Sequence, residues 1–283
     1  MAAFYNQAIL SYSGGTVNSN ITTGELVEVL SVTKTAVVGE YSQGSDITYV
    51  INVINSGSVS YSGLTLTDDL GAYSFNASTL QPFDYVEGSV KYFVNGVLQT
   101  TPSVTATDGI VITPISVPAN GEATIVYTAT ANEFASPVGT GTIENTVTVS
   151  GNGIADVSAT ETVTASSVPS LGITKSISPT TITENDPLTY TFVISNYGNT
   201  EATVADDVVI TDIFDPAFET ITVIYNGTQW TEPDDYSYNP ATGLFTTVAG
   251  AITVPAATYS QNAVTGEWTV TPGTSTLVVT GNI

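Results

Sequence analysis

Val32-Thr33-Lys34-Thr35, Ile47-Thr48-Tyr49 and Asn55-Ser56-Gly57 return later as Ile173-Thr174-Lys175-Ser176, Leu188-Thr189-Tyr190 and Asn196-Tyr197-Gly198. All three pairs share the spacing that separates Lys34 from Lys175, so one structural unit is written twice. Further on, Leu66-Thr67-Asp68 answers Ile210-Thr211-Asp212, and Asn95-Gly96 answers Asn226-Gly227. Insertions shift the spacing there, as loops permit. Residues 121–131, with the strand Thr124-Ile125-Val126-Tyr127-Thr128, answer residues 273–283, with Thr276-Leu277-Val278-Val279-Thr280.

Thr, Val, Ile and Tyr dominate, and Gly, Asn and Pro punctuate them, which is a β-sheet composition. No amphipathic helix stands out. A chain of 283 residues suits two domains, and an apolar content of 42% lets each bury a core. The expected fold is all-β. Two tandem β-sandwich domains occupy residues 28–166 and 167–283, and a β-hairpin occupies residues 1–27.

The two copies differ in their final strands. The first continues through Asn145-Thr146-Val147-Thr148-Val149-Ser150 and residues 155–163, joined at the hairpin signal Gly151-Asn152-Gly153. The second copy has no such pair before Ile283. The counterpart stands at the other end. Asn6-Gln7-Ala8-Ile9-Leu10-Ser11 resembles 145–150, a Gly14-Gly15 turn follows, and residues 19–27 resemble 158–164. A sandwich without its last hairpin has open strand edges. Each buried backbone group left unpaired costs about 1–3 kcal/mol. A free two-stranded hairpin is itself marginal in water.

Both defects vanish if the hairpin of one subunit enters the incomplete domain of the next, a form of β-augmentation known as donor-strand complementation. The short connectors 28–31 and 166–172 oppose insertion into the same chain, and a head-to-tail contact that does not close makes a filament. The expected interface residues are Ala8, Leu10, Tyr12 and Ile21 of the hairpin, with Leu277 and Val279 of the receiving domain. In the competing reading, residues 1–27 are a loose tail, which leaves their likeness to 145–164 unexplained.

Charge narrows the remaining classes. The formal charge is −23, from 26 acidic residues and three lysines, with no arginine, histidine or cysteine. That excludes Ser-His-Asp and cysteine catalysis, disulfides and the usual zinc or haem ligation. An acidic surface repels nucleic acid and anionic membranes. No run of residues is long and apolar enough for a transmembrane helix. The Asp pairs 68–69, 206–207 and 234–235 have no calcium-loop spacing. The expected partner is therefore a second copy of the chain, without nucleic acid, membrane insertion, metal or cofactor. The start, Met1-Ala2-Ala3-Phe4-Tyr5-Asn6, has no basic segment followed by a long apolar one. It fits a mature chain whose leader is gone or export by another route, with an extracellular location on a cell or spore surface.

Thr-Lys-Thr, Gly-Ser-Asp-Ile-Thr-Tyr, Asn-Ser-Gly, Leu-Thr-Asp-Asp-Leu and Asn-Thr-Val-Thr-Val, read along residues 33–149, resemble the DUF11-type repeat domains of bacterial and archaeal cell surfaces. The resemblance covers 32–165 well and 173–283 in part, and 228–268 diverges. It implies immunoglobulin-like sandwiches, a surface or stalk role and no enzymatic activity. A weaker likeness is to endospore appendage proteins.

Lysine in a first strand, asparagine in a last strand and a carboxylate between them also resemble the isopeptide-forming sandwiches of Gram-positive surface proteins. Lys34 would pair with Asn145 under Asp68. Lys175 would need Asn6 of a neighbour, under Asp212. Burial favours the neutral amine, and a protonated carboxyl group can polarise the amide. The plainer alternative makes the lysines edge gatekeepers and the Asp and Asn residues turn formers. The leading function is a filament subunit. The alternative is an adhesin or stalk module binding a host protein or glycan, with Trp230 and Trp268 as candidate stacking surfaces. Nothing places two acids opposite a cleft, as a carboxylate-based hydrolase requires.

Overall fold

The computed structural model describes residues 2–26, 28–183 and 186–283. Contacts divide the chain into two compact units, Met1–Ala135 with Thr142–Val163, and Ser136–Gly141 with Thr164–Ile283. The fold is all-β. Among the described residues, the one helical element is a 3-10 turn at Val204–Asp206.

The chain opens with a long hairpin. β1 (Ala2–Asn6) pairs with β4 (Thr22–Leu26), and β2 (Ile9–Tyr12) pairs with β3 (Gly15–Asn18). Between the two ladders, residues 19–21 face only residues 7 and 8, which is a β-bulge. Ser19 spans it, its N–H donating to the Ala8 carbonyl at 2.8 Å and its Oγ accepting from the Ala8 N–H at 3.0 Å. The tip is Ser13-Gly14, one residue before the expected Gly14-Gly15 turn. Gly15 already pairs with Tyr12. The Tyr12 ring covers Gly14 so closely that a Cβ there would meet it at 2.6 Å. Among the described residues these strands pair only with each other, and Phe4, Tyr5, Ile9, Leu10, Tyr12, Val17 and Ile21 are exposed.

The first unit continues with β5 (Leu30–Ala36), β6 (Glu40–Tyr41), β7 (Asp46–Asn55) and β8 (Tyr61–Asp68). A small ribbon, β9 (Tyr73–Phe75) with β10 (Ser78–Leu80), follows, then β11 (Phe83–Tyr85), β12 (Lys91–Val94) and β13 (Val97–Leu98). β14 (Ser103–Ala106), β15 (Ile110–Val117), β16 (Gly121–Ala131), β17 (Thr142–Ser150) and β18 (Val157–Ala165) complete it. One sheet runs β13-β12-β16-β7-β5, with β11 also on β16, and the other runs β14-β15-β8-β17-β18-β6. Side chains alternate across each strand. Ile47, Tyr49, Ile51 and Val53 of β7 and Ile125 and Tyr127 of β16 meet Leu64, Leu66, Ile110, Ile112, Val147 and Val149 from the opposite sheet, all buried. This is an immunoglobulin-like sandwich, and each such side chain contributes about 1.5–3 kcal/mol.

The second unit contains β19 (Leu171–Ser178), β20 (Pro187–Asn196), β21 (Thr211–Ile213), β22 (Thr220–Tyr225) and β23 (Thr228–Gln229). It ends with β24 (Tyr236–Asn239), β25 (Leu244–Thr247), the ribbon β26 (Thr258–Gln261) and β27 (Trp268–Thr271), and β28 (Gly273–Asn282). Its larger sheet, β19-β20-β28-β22-β23, repeats β5-β7-β16-β12-β13 strand for strand. The repeated motifs do the same work in both. Asn95-Gly96 and Asn226-Gly227 form two-residue turns with positive φ at both positions, which Asn-Gly tolerates best. Asn55 and Asn196 are buried at the ends of β7 and β20. Each accepts the N–H two residues on at 2.9 Å and donates its amide to the following loop.

The second sheets differ. In the first unit β8 lies between β15 and β17. In the second unit its counterpart, β21, has β25 on one side and, among the described residues, no strand on the other, so that sheet is only β21-β25-β24. A cluster of aromatics, Tyr190, Phe214, Phe218, Tyr236 and Phe245, fills the core beneath it.

Candidate functional site

The closed site lies in the first unit. The alternation of β5 turns Lys34 inward, and the end of β8 brings Asp68 from the opposite sheet. Lys34 Nζ stands 2.6 Å from Asp68 Oδ2, and neither side chain is exposed to solvent. Nζ also sits 4.6 Å above the Tyr49 ring. The Tyr127 hydroxyl donates to the same Oδ2 at 2.8 Å, and the Leu70 N–H donates to Oδ1 at 3.1 Å. β17 supplies Asn145, whose Nδ2 donates to the Tyr127 hydroxyl at 3.0 Å. Asp69 fixes that strand, its N–H donating to the Thr146 carbonyl at 3.0 Å and its Oδ1 accepting the Thr146 N–H at 2.9 Å.

Lys34 and Asp68 therefore pair directly, and Asn145 is joined to Asp68 through the Tyr127 hydroxyl. Tyr127 and Tyr49 complete the group and were missed, since their strands contact it only across the packed sheets. Among the described residues, Asn145 Oδ1 and the Tyr49 hydroxyl make no close hydrogen bond, although the Tyr49 phenol lies near enough to the Asn145 side chain to interact with it.

Burial dominates the electrostatics. Desolvation lowers the Lys34 amine below its usual range, against the attraction of Asp68. Desolvation likewise raises the Asp68 carboxyl group, against Lys34 and its hydrogen-bond donors. Both shifts favour the neutral amine beside the neutral acid. The Tyr127 phenol is pushed well up by the same loss of water and by Asp68.

The open site is its counterpart. Lys175 on β19 pairs with Asp212 on β21, and its Nζ lies 4.2 Å from the centre of the Tyr190 ring, the position of Tyr49. Here the side chains are 37% and 21% exposed. No strand stands where β17 stands, so no asparagine reaches the pair among the described residues. Tyr127 corresponds to Val279, which brings no hydroxyl. The exposure extends along β19. Leu30 is 7% exposed, whereas Leu171 is 41%, and Ile173 and Ile177 on the same face are 54% and 42%. Ile213, which replaces Asp69, is 64% exposed at the free edge of β21.

The other expected residues divide. Asn6, Ala8, Leu10 and Tyr12 keep the two-residue spacing of Asn145, Val147 and Val149, and they and Ile21 are exposed on the free hairpin. Leu277 and Val279 lie inside the second unit. β28 is central, paired with β20 on one side and β22 on the other, and both side chains are fully buried. They can meet an incoming hairpin only across the core. The open edge belongs to β21. Trp230 is buried against Tyr225, ring centres 4.7 Å apart, and Trp268 is half-buried on β27, so neither is an exposed stacking platform.

Among the described residues, no group of His, Cys, Asp or Glu is placed to hold a metal ion, and no helix is long and apolar enough to cross a membrane.

No family model matches the chain, so the likeness to the cell-surface repeat family stays a resemblance. No curated protein matches either. Among solved structures, the chain is similar to BcpA, the major pilin subunit of Bacillus cereus, at 12% identity and a TM-score of 0.36, over 96% of this chain and 73% of that one. It is similar to the pilus backbone RrgB of Streptococcus pneumoniae at 14% identity and a TM-score of 0.33, over 86% of this chain and 54% of that one. It is also similar to the collagen-binding subdomain of the Enterococcus faecalis surface protein ACE, at 12% identity and a TM-score of 0.31, over 50% of this chain and 99% of that one. With scores this low, none of these likenesses bears on function.

Proposed function

We propose that this chain is the structural subunit of an extracellular protein filament, in which residues 2–26 of one copy complete the smaller sheet of the second unit of another copy. One observation carries the reading. The same strand position is covered by β17 and β18 in the first unit, and in the second no described strand covers it, so that Leu171, Ile173, Lys175 and Ile177 face solvent. The hairpin 2–26 carries the pattern of the covering strands and, among the described residues, its strands pair only with each other. Docked like β17, it sets Asn6 at the Lys175–Asp212 pair and Ala8 opposite Asp212, since Val147 lies opposite Asp68. It also pairs the free edge of β21, and its apolar face covers the exposed core. The role is non-enzymatic, and the partner is the chain itself.

Electron microscopy of the purified full chain tests this. Filaments are expected, and deleting residues 1–27 should leave monomers. The deleted chain accepts a hairpin but donates none, so adding it to the full chain should cap one end and shorten the filaments. Filaments that persist after the deletion, or lengths unchanged by the capping chain, would refute the proposal.

A further inference from the structure

We propose that Tyr12 is the residue by which the hairpin selects its site. It packs over Val208 in the second unit of another copy, whereas at the matching place in a first unit Leu64 already fills the space. This rests on the filament reading and goes beyond it in naming what tells the two sandwiches apart. The ladder fixes the neighbours. In the first unit Val149 stands opposite Leu66 and Ser150 opposite Thr65, so Gly151 falls opposite Leu64. A Cβ on Gly151 would lie 2.5 Å from Leu64 Cδ2, and Leu64 is only 1% exposed. A larger residue at 151 would have to push Leu64 aside in a close-packed core.

The repeat carries both positions over with large and small exchanged. The spacing of Leu66 to Ile210 and of Asp68 to Asp212 makes Val208 the counterpart of Leu64, and the spacing of Asn6 to Asn145 makes Tyr12 the counterpart of Gly151. Valine is one methylene shorter than leucine. Val208 packs against the core of the second unit and is only half-buried, which leaves room over it. The bulge of the hairpin lies on the return strand, so the alternation that turns Leu10 inward continues unbroken to Tyr12, which still pairs with Gly15. In the free hairpin Tyr12 is 59% exposed. A rigid aromatic that is exposed alone and buried on docking is a typical interface anchor. In place of β17 and β18 of a first unit, the same hairpin would drive the ring against Leu64. The mismatch opposes exchange with those strands, whose pattern the hairpin shares, and directs it to the second unit.

The chain has no cysteine, so introduced pairs report contact directly. Full chains carrying Tyr12→Cys, mixed with full chains carrying Val208→Cys and mildly oxidised, should give disulfide-linked dimers, because opposite residues of an antiparallel pair bring their Cβ atoms within about 4.5–5.5 Å. Tyr12→Cys mixed with Leu64→Cys should give none. A second measurement rebuilds the pair of the first unit by joining Tyr12→Gly with Val208→Leu. In chains that also carry Lys175→Met, each single change should raise the concentration needed for filaments by about tenfold or more, and the double variant should rise no further than the larger of the two. Filaments in which positions 12 and 208 fail to cross-link, a cross-link from 12 to 64, or a double variant whose rise is the product of the single ones would overturn the selection by Tyr12 and leave the filament reading standing. A wild-type chain that forms no filaments would refute both.

Discussion

Ile9 and Leu10 offer a sharp test of how the hairpin docks. In the free hairpin they are almost equally exposed, at 69% and 67%. Their counterparts in the closed domain are not alike. Leu10 corresponds to Val149, which is fully buried, and Ile9 to Thr148, which is half-buried on the outer face. Truncating a buried Leu to Ala removes its transfer free energy and leaves a cavity, a loss of 2–5 kcal/mol in well-packed cores. The receiving site has exposed residues that can relax, so about 2–3 kcal/mol is expected here. That corresponds to roughly a 30- to 150-fold rise in the protein concentration at which filaments form. Ile9→Ala should change it by about threefold or less, a surface-type effect. Sedimentation of filaments across a dilution series gives both numbers, measured on a Lys175→Met background so that no bond between subunits obscures the equilibrium. Equal effects of the two substitutions, or a larger effect of Ile9→Ala, would refute the register.

The two lysine–aspartate pairs should respond differently to the loss of their acid. In the monomer lacking residues 1–27, Asp68→Ala leaves the buried Lys34 amine and the Tyr127 hydroxyl without their shared acceptor and should cost about 1–3 kcal/mol for each group in urea unfolding, whereas Asp212→Ala at the open pair should cost about 1 kcal/mol or less. Equal losses would mean that the two sites are equally closed. If docking brings Asn6 to Lys175, filaments boiled in detergent should run as a ladder of multimers, and Asn6→Ala or Lys175→Met should collapse it to monomer. A ladder that survives both changes would place the cross-link elsewhere. Subunits that each carry a charge of −23 repel. Raising the salt from about 0.01 M to 0.15 M shortens the screening length from about 30 Å to 8 Å and should speed filament growth. Slower growth in salt, read by light scattering, would point to attractive charge pairing at the joint.

Much of this was legible in the residues. The Asn-Gly turns and the buried turn asparagines, Asn55 and Asn196, repeat because each depends on a few consecutive residues whose backbone and side-chain geometry is local. The grouping of Lys34, Asp68 and Asn145 was expected only through the resemblance to the isopeptide-forming sandwiches; the structure pairs Lys34 with Asp68 and links Asn145 to Asp68 through the Tyr127 hydroxyl. The tip of the first hairpin falls one residue earlier than the Gly14-Gly15 signal, because Gly15 already pairs with Tyr12. That β28 lies in the middle of its sheet, so that Leu277 and Val279 face the core and not an edge, was not legible in the residues.

What the sequence by itself determined is the repeat, the strands and the likeness of residues 6–11 to 145–150, all properties of neighbours along the chain. Only the tertiary structure decided that Tyr127 and Tyr49 close the first lysine site, that β21 is the free edge and that Lys175 stands open. Those follow from which strand lies across which, and burial, which sets the charge state of a lysine, is a property of that packing and not of any one segment.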